Sequence, residues 1–214
     1  MNSFERKAHE RGCLFVAGID EAGRGPLAGP VVAAAVILPT GYEQEGTLPK
    51  GARINDSKKL TPRQRERLFE TIARDAVSVG IGVVEAPEID VVNILQATLA
   101  AMKEAVLALL PYPDYLLIDG INRINLDLPQ ETIISGDSRS ISVAAASIVA
   151  KVSRDRMMEM YHRQFPQYNF LRNKGYGTRE HREAILKYGR SKIHRRSFRV
   201  TGIDDLPVNE KLQL

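Results

Sequence analysis

The sequence is poor in the features that mark secreted and membrane proteins. It contains one cysteine, Cys13, so its thiols cannot form a disulfide framework or a cysteine-rich metal site. The longest apolar run, at residues 31–38, is far too short to span a bilayer, and the first residues lack the apolar segment of a signal peptide. We find no internal repeat and no low-complexity tract. These absences favour a cytoplasmic location and no contact with a membrane.

The charge of the chain is distributed unevenly. Its 214 residues suit one domain, and the net charge is +4. Residues 151–199 contain fourteen Lys and Arg against four Asp and Glu. The same segment carries several aromatic residues, among them Tyr161, Tyr168, Phe170, Tyr176 and Tyr188. Basic and aromatic groups together suit a phosphate backbone with its sugars and bases, although a merely solvated surface is the alternative.

The apolar pattern predicts an α/β fold. Strands are expected at residues 14–19, 31–38, 77–84, 115–118 and 132–134. Helices are expected at residues 61–74, 94–110, 140–164 and 178–189, the first opened by a capping box of Thr61 and Gln64. The first three strands precede any long crossover, which favours an antiparallel meander. We therefore expect a mixed five-stranded sheet flanked by helices within one domain, 1–214, including a basic helical C-terminal part at about 140–199.

Acidic residues follow three of these strands directly. They are Asp20 and Glu21, Asp119, and Asp137. If the strands are neighbours, the acids converge at one edge of the sheet, where α/β folds place their sites. Two like charges about 4 Å apart repel by about 4 kcal/mol at an effective dielectric of about 20. Such a cluster predicts a site for a hard cation, Mg²⁺ or Mn²⁺.

Each acid also has a simpler interpretation. Asp119 precedes Gly120 and could belong to a turn, and Asp137 could favour the N-terminus of the next helix. Asp20 and Glu21 are adjacent, so in a regular strand their side chains point to opposite faces. Either the strand ends there, or one of the two contributes through its backbone carbonyl.

Two glycine-containing segments are candidates for contact with a ligand. Residues 23–26, GRGP, combine glycines that permit close backbone approach with an arginine that can pair with phosphate. A P-loop is an unfavourable alternative, because Arg24-Gly25 stands where that motif requires Lys-Ser/Thr. Tyr176 lies between Gly175 and Gly177, so it is either a reachable side chain or a loop tyrosine lying on the core. His162, His181 and His194 have no metal-ligand spacing and are expected at the surface or on the phosphate-binding side.

The segments together resemble the ribonuclease HII family, the bacterial type 2 ribonucleases H. The resemblance opens with residues 16–32, VAGIDEAGRGPLAGPVV. It continues in order through INDSK at 54–58, NILQAT at 93–98, LIDG at 117–120, GDS at 136–138, AAASIVAKV at 144–152, RDR at 154–156, KGYGT at 174–178 and HRRSF at 194–198.

This resemblance implies a ribonuclease H-like fold and a four-carboxylate site. The acids would be Asp20, Glu21, Asp119 and Asp137, holding two Mg²⁺ or Mn²⁺ ions. Gly23, Arg24 and Gly25 would contact the ribose 2′-hydroxyl and flanking phosphates, and Tyr176 would pack on the sugar beyond the RNA–DNA junction. The further substrate contacts expected are Asn55, Lys58, Ser147, Lys151, Lys174 and Arg196.

The activity implied is metal-dependent endoribonuclease cleavage of RNA that is paired with DNA or embedded in it, with 5′-phosphate and 3′-hydroxyl products. Nucleic acid is the expected partner, with no small-molecule cofactor and a monomeric chain. Arg172-Asn173 stands where many relatives carry a histidine, a departure that bears on substrate details. The rival hypotheses are a nuclease of the same fold that acts on DNA alone and a noncatalytic hybrid-binding module.

Overall fold

A computed structural model describes residues 3–40, 60–200 and 203–204. Its strands are β1 (Val16–Ala22), β2 (Val31–Ile37), β3 (Ser78–Val84), β4 (Tyr115–Asp119) and β5 (Gln130–Ile133). Its α-helices are α1 (Ser3–Glu10), α2 (Pro62–Asp75), α3 (Ala86–Val92), α4 (Ile94–Leu107), α5 (Ile141–Gln164), α6 (Phe170–Asn173) and α7 (Arg179–Tyr188). The candidates Asn55 and Lys58 lie outside the described residues.

The five strands form one mixed sheet in the order β3-β2-β1-β4-β5. The pairs β1–β2 and β2–β3 are antiparallel, which confirms the predicted meander. The pairs β1–β4 and β4–β5 are parallel. Ile19 of β1 is opposite Ile118 of β4, so the next residues along the two strands, Asp20 and Asp119, reach the same edge of the sheet. The topology therefore brings together acids that are far apart in the sequence.

Helices cover both faces of this sheet. On one face, α4 packs on β3, β2 and β1 through a cluster that includes Ala101, Met102 and Val106. On the other, the first half of α5 packs on β2 through alanines, Ile148 and Val149. β2 is buried along its whole length, which explains its unbroken apolar sequence.

The close approach of α5 to β1 depends on Gly18. A Cβ at this position would overlap the backbone of Ser142 and Val143 in the first turn of α5. The absence of a side chain lets the helix lie directly against the strand. Ser147, one turn further along α5, thereby lies above the acidic end of β1, where it hydrogen-bonds to Asp20.

The predicted elements are present, with differences at their ends. The capping box of Thr61 and Gln64 is confirmed. β1 does not end at Asp20 but continues to Ala22, so both acids are part of the strand. Helix α3 was not predicted, and Asn93 at its end takes a φ of 70° before its side chain caps α4. Among the described residues, no helix combines the length and apolarity needed to cross a bilayer.

Candidate active site

A cavity of about 290 Å³ opens at the acidic edge of the sheet. Its walls come from the end of β1, the loop after it, the end of β4, helix α5 and the loop before α7. The lining residues are Asp20, Glu21, Ala22, Gly23, Arg24, Gly25, Arg65, Asp119, Ser147, Lys151, Arg154 and Tyr176. The cavity thus brings together three of the four predicted acids, the whole Gly-Arg-Gly segment and Tyr176.

The acids of the cavity are close enough to affect one another's ionisation. Burial raises the pKa of Asp20 well above its ordinary value, and the charges of Glu21 and Asp119 raise it further, while a hydrogen bond from Ser147 opposes the shift. The pKa of Glu21 is also raised, chiefly by burial, although Arg24 lowers it. Repulsion between buried carboxylates is relieved when a cation binds between them.

Asp119 is oriented by the segment that carries Asp137. The backbone N–H of Gly136 donates a hydrogen bond to Asp119 Oδ1 at 2.6 Å. Asp137 follows in a short 3₁₀ helix, Gly136–Ser138, and is buried. It does not line the cavity as Asp20, Glu21 and Asp119 do. The fourth predicted acid therefore belongs to the segment that binds Asp119, but it does not line the cavity with the other three.

Arg24 and Tyr176 also line the cavity. Arg24 Nη1 lies 3.2 Å from Glu21 Oε1, and its side chain is about half exposed. Tyr176 is 47% exposed, so it is a reachable side chain and not a loop residue lying on the core. A Cβ at Gly25 would have Tyr176 Cε1 as its near neighbour, at 3.9 Å. The Gly-Arg-Gly segment and the Tyr176 ring therefore face each other across a narrow space.

The loop of Tyr176 is held by Asn173. The Asn173 side chain is buried, donates to the carbonyl of Tyr168 at 2.6 Å and accepts from the N–H of Gly175 at 2.8 Å. The N–H of Leu27 donates to the carbonyl of Gly175 at 2.8 Å. These bonds fix the Tyr176 loop against the segment that follows the Gly-Arg-Gly sequence.

Sequence comparison identifies the family to which this arrangement corresponds. The model of the ribonuclease HII family matches residues 17–201. The chain belongs to this family. The ribonuclease HII of Syntrophus aciditrophicus (strain SB) is 64% identical over 200 residues, which are 94% of this chain and 91% of that protein.

Solved structures agree with this family assignment. The ribonuclease H2 of Pyrococcus horikoshii OT3 superposes with a TM-score of 0.71 at 27% identity, covering 87% of this chain and 94% of that one. The ribonuclease HII from a complex with PCNA of Archaeoglobus fulgidus gives 0.72 at 26% identity, covering 90% and 100%. The predicted ribonuclease H-like fold is therefore confirmed, and membership in the ribonuclease HII family makes the chain a ribonuclease H endoribonuclease that acts on nucleic acid.

The metal dependence of ribonucleases H is consistent with the donors present. Asp20, Glu21 and Asp119 offer carboxylate oxygens, which hard divalent cations prefer. Among the described residues, no group of three or more Asp, Glu, His or Cys side chains is arranged as a metal-binding cluster. An open set fits Mg²⁺, which keeps several waters and is usually completed by substrate phosphates. The residues present therefore fit the ion.

The predicted basic contacts divide into two groups. Lys151 lines the cavity and is paired with Asp155 at 2.7 Å. Lys174 and Arg196 do not line it, and the Lys174 ammonium is 3.0 Å from Glu159. These two could meet only a substrate that extends beyond the cavity.

The expected surface position of His181 and His194 is wrong. Both are buried, because they pack against Tyr168 and Phe170 in an aromatic cluster. Sequence reasoning also assigned no role to Arg65 or Arg154, which line the cavity, or to the buried Arg195. Arg154 and Arg195 do lie within family motifs, RDR and HRRSF, which was the available signal.

Proposed function

We propose that this protein hydrolyses the RNA strand of RNA/DNA hybrids and incises duplex DNA at single embedded ribonucleotides. The observation that carries the proposal is the shared cavity. Three carboxylates that suit a divalent cation, a glycine-rich segment suited to approach a ribose and an exposed tyrosine ring line the same space. Together these three elements suit a site that acts on a phosphate next to a ribose.

The acids hold the metal in this proposal. Asp20, Glu21 and Asp119 would be ligands, and the buried Asp137, which follows the Gly136 that binds Asp119, would be the fourth. Two Mg²⁺ or Mn²⁺ ions bound there would lower the pKa of an attacking water and stabilise the leaving 3′-oxygen. The products would carry 5′-phosphate and 3′-hydroxyl ends. Ser147 contributes by holding Asp20 through a hydrogen bond.

The loops would select the substrate. The backbone of Gly23, Arg24 and Gly25 would contact the 2′-hydroxyl, which distinguishes RNA from DNA at a given base. The Tyr176 ring would pack on the next sugar, where a deoxyribose leaves room for it. The Arg24 guanidinium would bind a flanking phosphate once a cation replaces it beside Glu21. Lys151, Lys174, Arg196, Asn55 and Lys58 would contact phosphates along the duplex.

The deciding assay uses a DNA duplex with one ribonucleotide, a matched all-DNA duplex and an RNA/DNA hybrid. We expect cleavage of the first and third with Mg²⁺ or Mn²⁺, no cleavage in EDTA, and no cleavage by Asp119→Asn, which keeps the shape of the side chain and loses its charge. Equal cleavage of the all-DNA duplex would indicate a DNA nuclease. Binding without cleavage under any metal condition would indicate a hybrid-binding module.

A further inference from the structure

Two guanidinium groups are buried beside the cavity without a carboxylate partner. Arg154 of α5 and Arg195 are each 1% exposed. Neither forms an ion pair with an acid in the described part of the chain. Burial lowers the pKa of both, and Arg195, which also faces the positive charge of Arg154, is lowered to about 9. A buried charge without a counterion is costly, so its environment has to compensate through hydrogen bonds.

The compensation comes from backbone carbonyls of the substrate-reading loops. Arg195 donates from Nη2 to Gly23 at 2.5 Å, from Nη1 to Arg24 at 2.9 Å and from Nε to Gly29 at 3.0 Å. Arg154 donates to three other carbonyls, those of Pro30, Ala28 and Lys174, at 2.9, 3.1 and 3.0 Å. Six carbonyls are thereby fixed by two planar groups, and they belong to both loops that face each other across the cavity.

The Arg195 contacts dictate where the loop's amides point. In a trans peptide the C=O and the next residue's N–H point in opposite directions, and the peptides of this loop are trans. Because Arg195 draws the carbonyls of Gly23 and Arg24 inward, the N–H groups of Arg24 and Gly25 point away from it. Neither N–H donates a hydrogen bond to any acceptor among residues 3–40, 60–200 and 203–204. Both residues line the cavity.

We propose that Arg195 and Arg154 are positioning residues for ribose recognition. Arg195 presents the Arg24 and Gly25 amides as a pair of donors to the ribose 2′-oxygen and adjoining phosphate oxygen, and Arg154 sets the spacing between this pair and the Tyr176 loop. The inference rests on the proposed function, since it explains how the same cavity reads a ribose. It assigns the specificity to two buried arginines that act by holding the backbone of the loops.

The identity of Gly23 is a consequence of this arrangement. Its φ is +99°, and a Cβ there would overlap the Arg154 side chain and approach the carbonyl of Pro30. Gly23 is thus needed to admit the guanidinium as well as to make the turn. A lysine cannot replace either arginine, because an ammonium lacks the planar fork that reaches three carbonyls in one plane.

The test compares Arg195→Lys and Arg154→Lys with Arg190→Lys. Arg190 also donates to backbone carbonyls, those of Arg195, Arg196 and Phe198, and pairs with Asp204, but it does not contact the Gly-Arg-Gly loop or the Arg195 guanidinium. It therefore controls for the general loss of an arginine that stabilises the fold. For each variant we would measure the melting temperature, kcat and KM on the single-ribonucleotide duplex, and Kd in EDTA for that duplex and for its all-DNA counterpart.

We expect Arg195→Lys to lower kcat by about 100-fold, the scale of a small misplacement of the reacting groups, with a much smaller change in KM. Its Kd for the all-DNA duplex should be unchanged while its preference for the ribonucleotide is lost. Arg190→Lys should lower the melting temperature and keep that preference. If Arg195→Lys does not fold, Arg154→Lys provides the same comparison.

Two results would overturn the proposal. One is an Arg195→Lys protein that keeps the wild-type preference for the ribonucleotide. The other is an equal loss of preference in Arg190→Lys at a matched loss of stability, because the effect would then be structural. A wild-type protein that neither prefers nor cleaves the ribonucleotide duplex would instead refute the proposed function itself.

Discussion

His181 and His194 lie side by side in the interior, with their Nε2 atoms 3.0 Å apart. The N–H of Ser191 donates to His194 Nδ1 at 2.9 Å, so that nitrogen carries no proton. The His194 proton is then on Nε2, which donates to His181 Nε2. His181 Nδ1 in turn donates to the carbonyl of Tyr176 at 2.8 Å. Both rings are neutral in this chain of hydrogen bonds, and the chain ends on the backbone of the candidate sugar-contacting residue.

The first prediction concerns stability in acid. Burial lowers the pKa of His181, and burial together with the nearby charges of His181 and Arg190 lowers the pKa of His194 to about 3. In the unfolded chain each histidine titrates near about 6.5. Below that pH the histidines of the unfolded state bind protons that they do not bind in the folded state. The free energy of unfolding should therefore fall as the pH drops from 6.5 towards 3. His194 alone should account for about 2 kcal/mol of that loss at pH 5.

Urea unfolding at a series of pH values measures this effect. His194→Gln should be less stable than the wild type at pH 8 but should show a shallower decline between pH 6.5 and 4. An unchanged decline in the variant would mean that other groups cause the acid sensitivity.

The second prediction concerns the acids. Because Asp20 is buried and repelled by Glu21 and Asp119, its charge should destabilise the metal-free fold. Asp20→Asn should therefore melt at a higher temperature in EDTA, by about 2–4 °C for each kcal/mol relieved, while losing cleavage. Mg²⁺ should raise the melting temperature of the wild type and not that of the variant. A variant that melts lower in EDTA and still responds to Mg²⁺ would contradict the site assignment.

Much of this architecture follows from sequence pattern. The strands and the long helix α5 have strong apolar periodicity, and parallel strands ending in acids place those acids at one edge. The buried arginines and histidines could not be found in this way. Arg195 and His194 lie in a basic, polar stretch, and their burial arises from carbonyls and rings contributed by segments far away in the chain, such as Gly23 and Tyr168. Periodicity carries no information about such partners.

The third prediction concerns affinity for nucleic acid. If the basic segment at 151–199 binds the backbone, log Kd should vary linearly with log salt. Arg196 is exposed while its backbone N–H is held by Asp90, so Arg196→Glu should remove a phosphate contact without loosening the fold. We expect weaker binding and a salt slope lower by about 1, with a similar effect for Lys174→Glu. Arg74→Glu, at an exposed site on α2, is the control and should leave the salt slope unchanged. A salt slope near zero in the wild type would exclude the segment at 151–199 as the binding surface.

The fourth prediction separates Gly25 from Gly23. A Cβ at Gly25 meets nothing closer than Tyr176 Cε1 at 3.9 Å, whereas one at Gly23 overlaps Arg154. Gly25→Val should therefore fold with a near-normal melting temperature and fail on every ribose-containing substrate, since its side chain fills the space between the two loops. Gly23→Ala should instead lose stability. Normal cleavage by a folded Gly25→Val would show that the ribose does not enter this space.

The last prediction concerns the junction between RNA and DNA. Tyr176 is exposed, its loop is fixed by Asn173, and its ring faces Gly25. A flat ring packed on C2′ of the next sugar tolerates a deoxyribose and is displaced by a ribose. Tyr176→Ala should thus lose most cleavage at a single embedded ribonucleotide, by up to about 100-fold through poorer placement of the scissile phosphate, and lose less on a long RNA/DNA hybrid.

Tyr176→Phe is the matched control, because it keeps the ring and removes the hydroxyl. If the ring itself senses the junction, Tyr176→Phe should keep the wild-type ratio of the cleavage rate on the single-ribonucleotide duplex to the rate on the RNA/DNA hybrid. Tyr176→Ala should not keep this ratio. The measurement is this ratio for the wild type and both variants, taken at saturating Mg²⁺ so that metal affinity does not enter. Equal losses on both substrates for Tyr176→Ala would make Tyr176 a general docking residue, since a contact that ignores the missing 2′-hydroxyl cannot distinguish the junction from the hybrid.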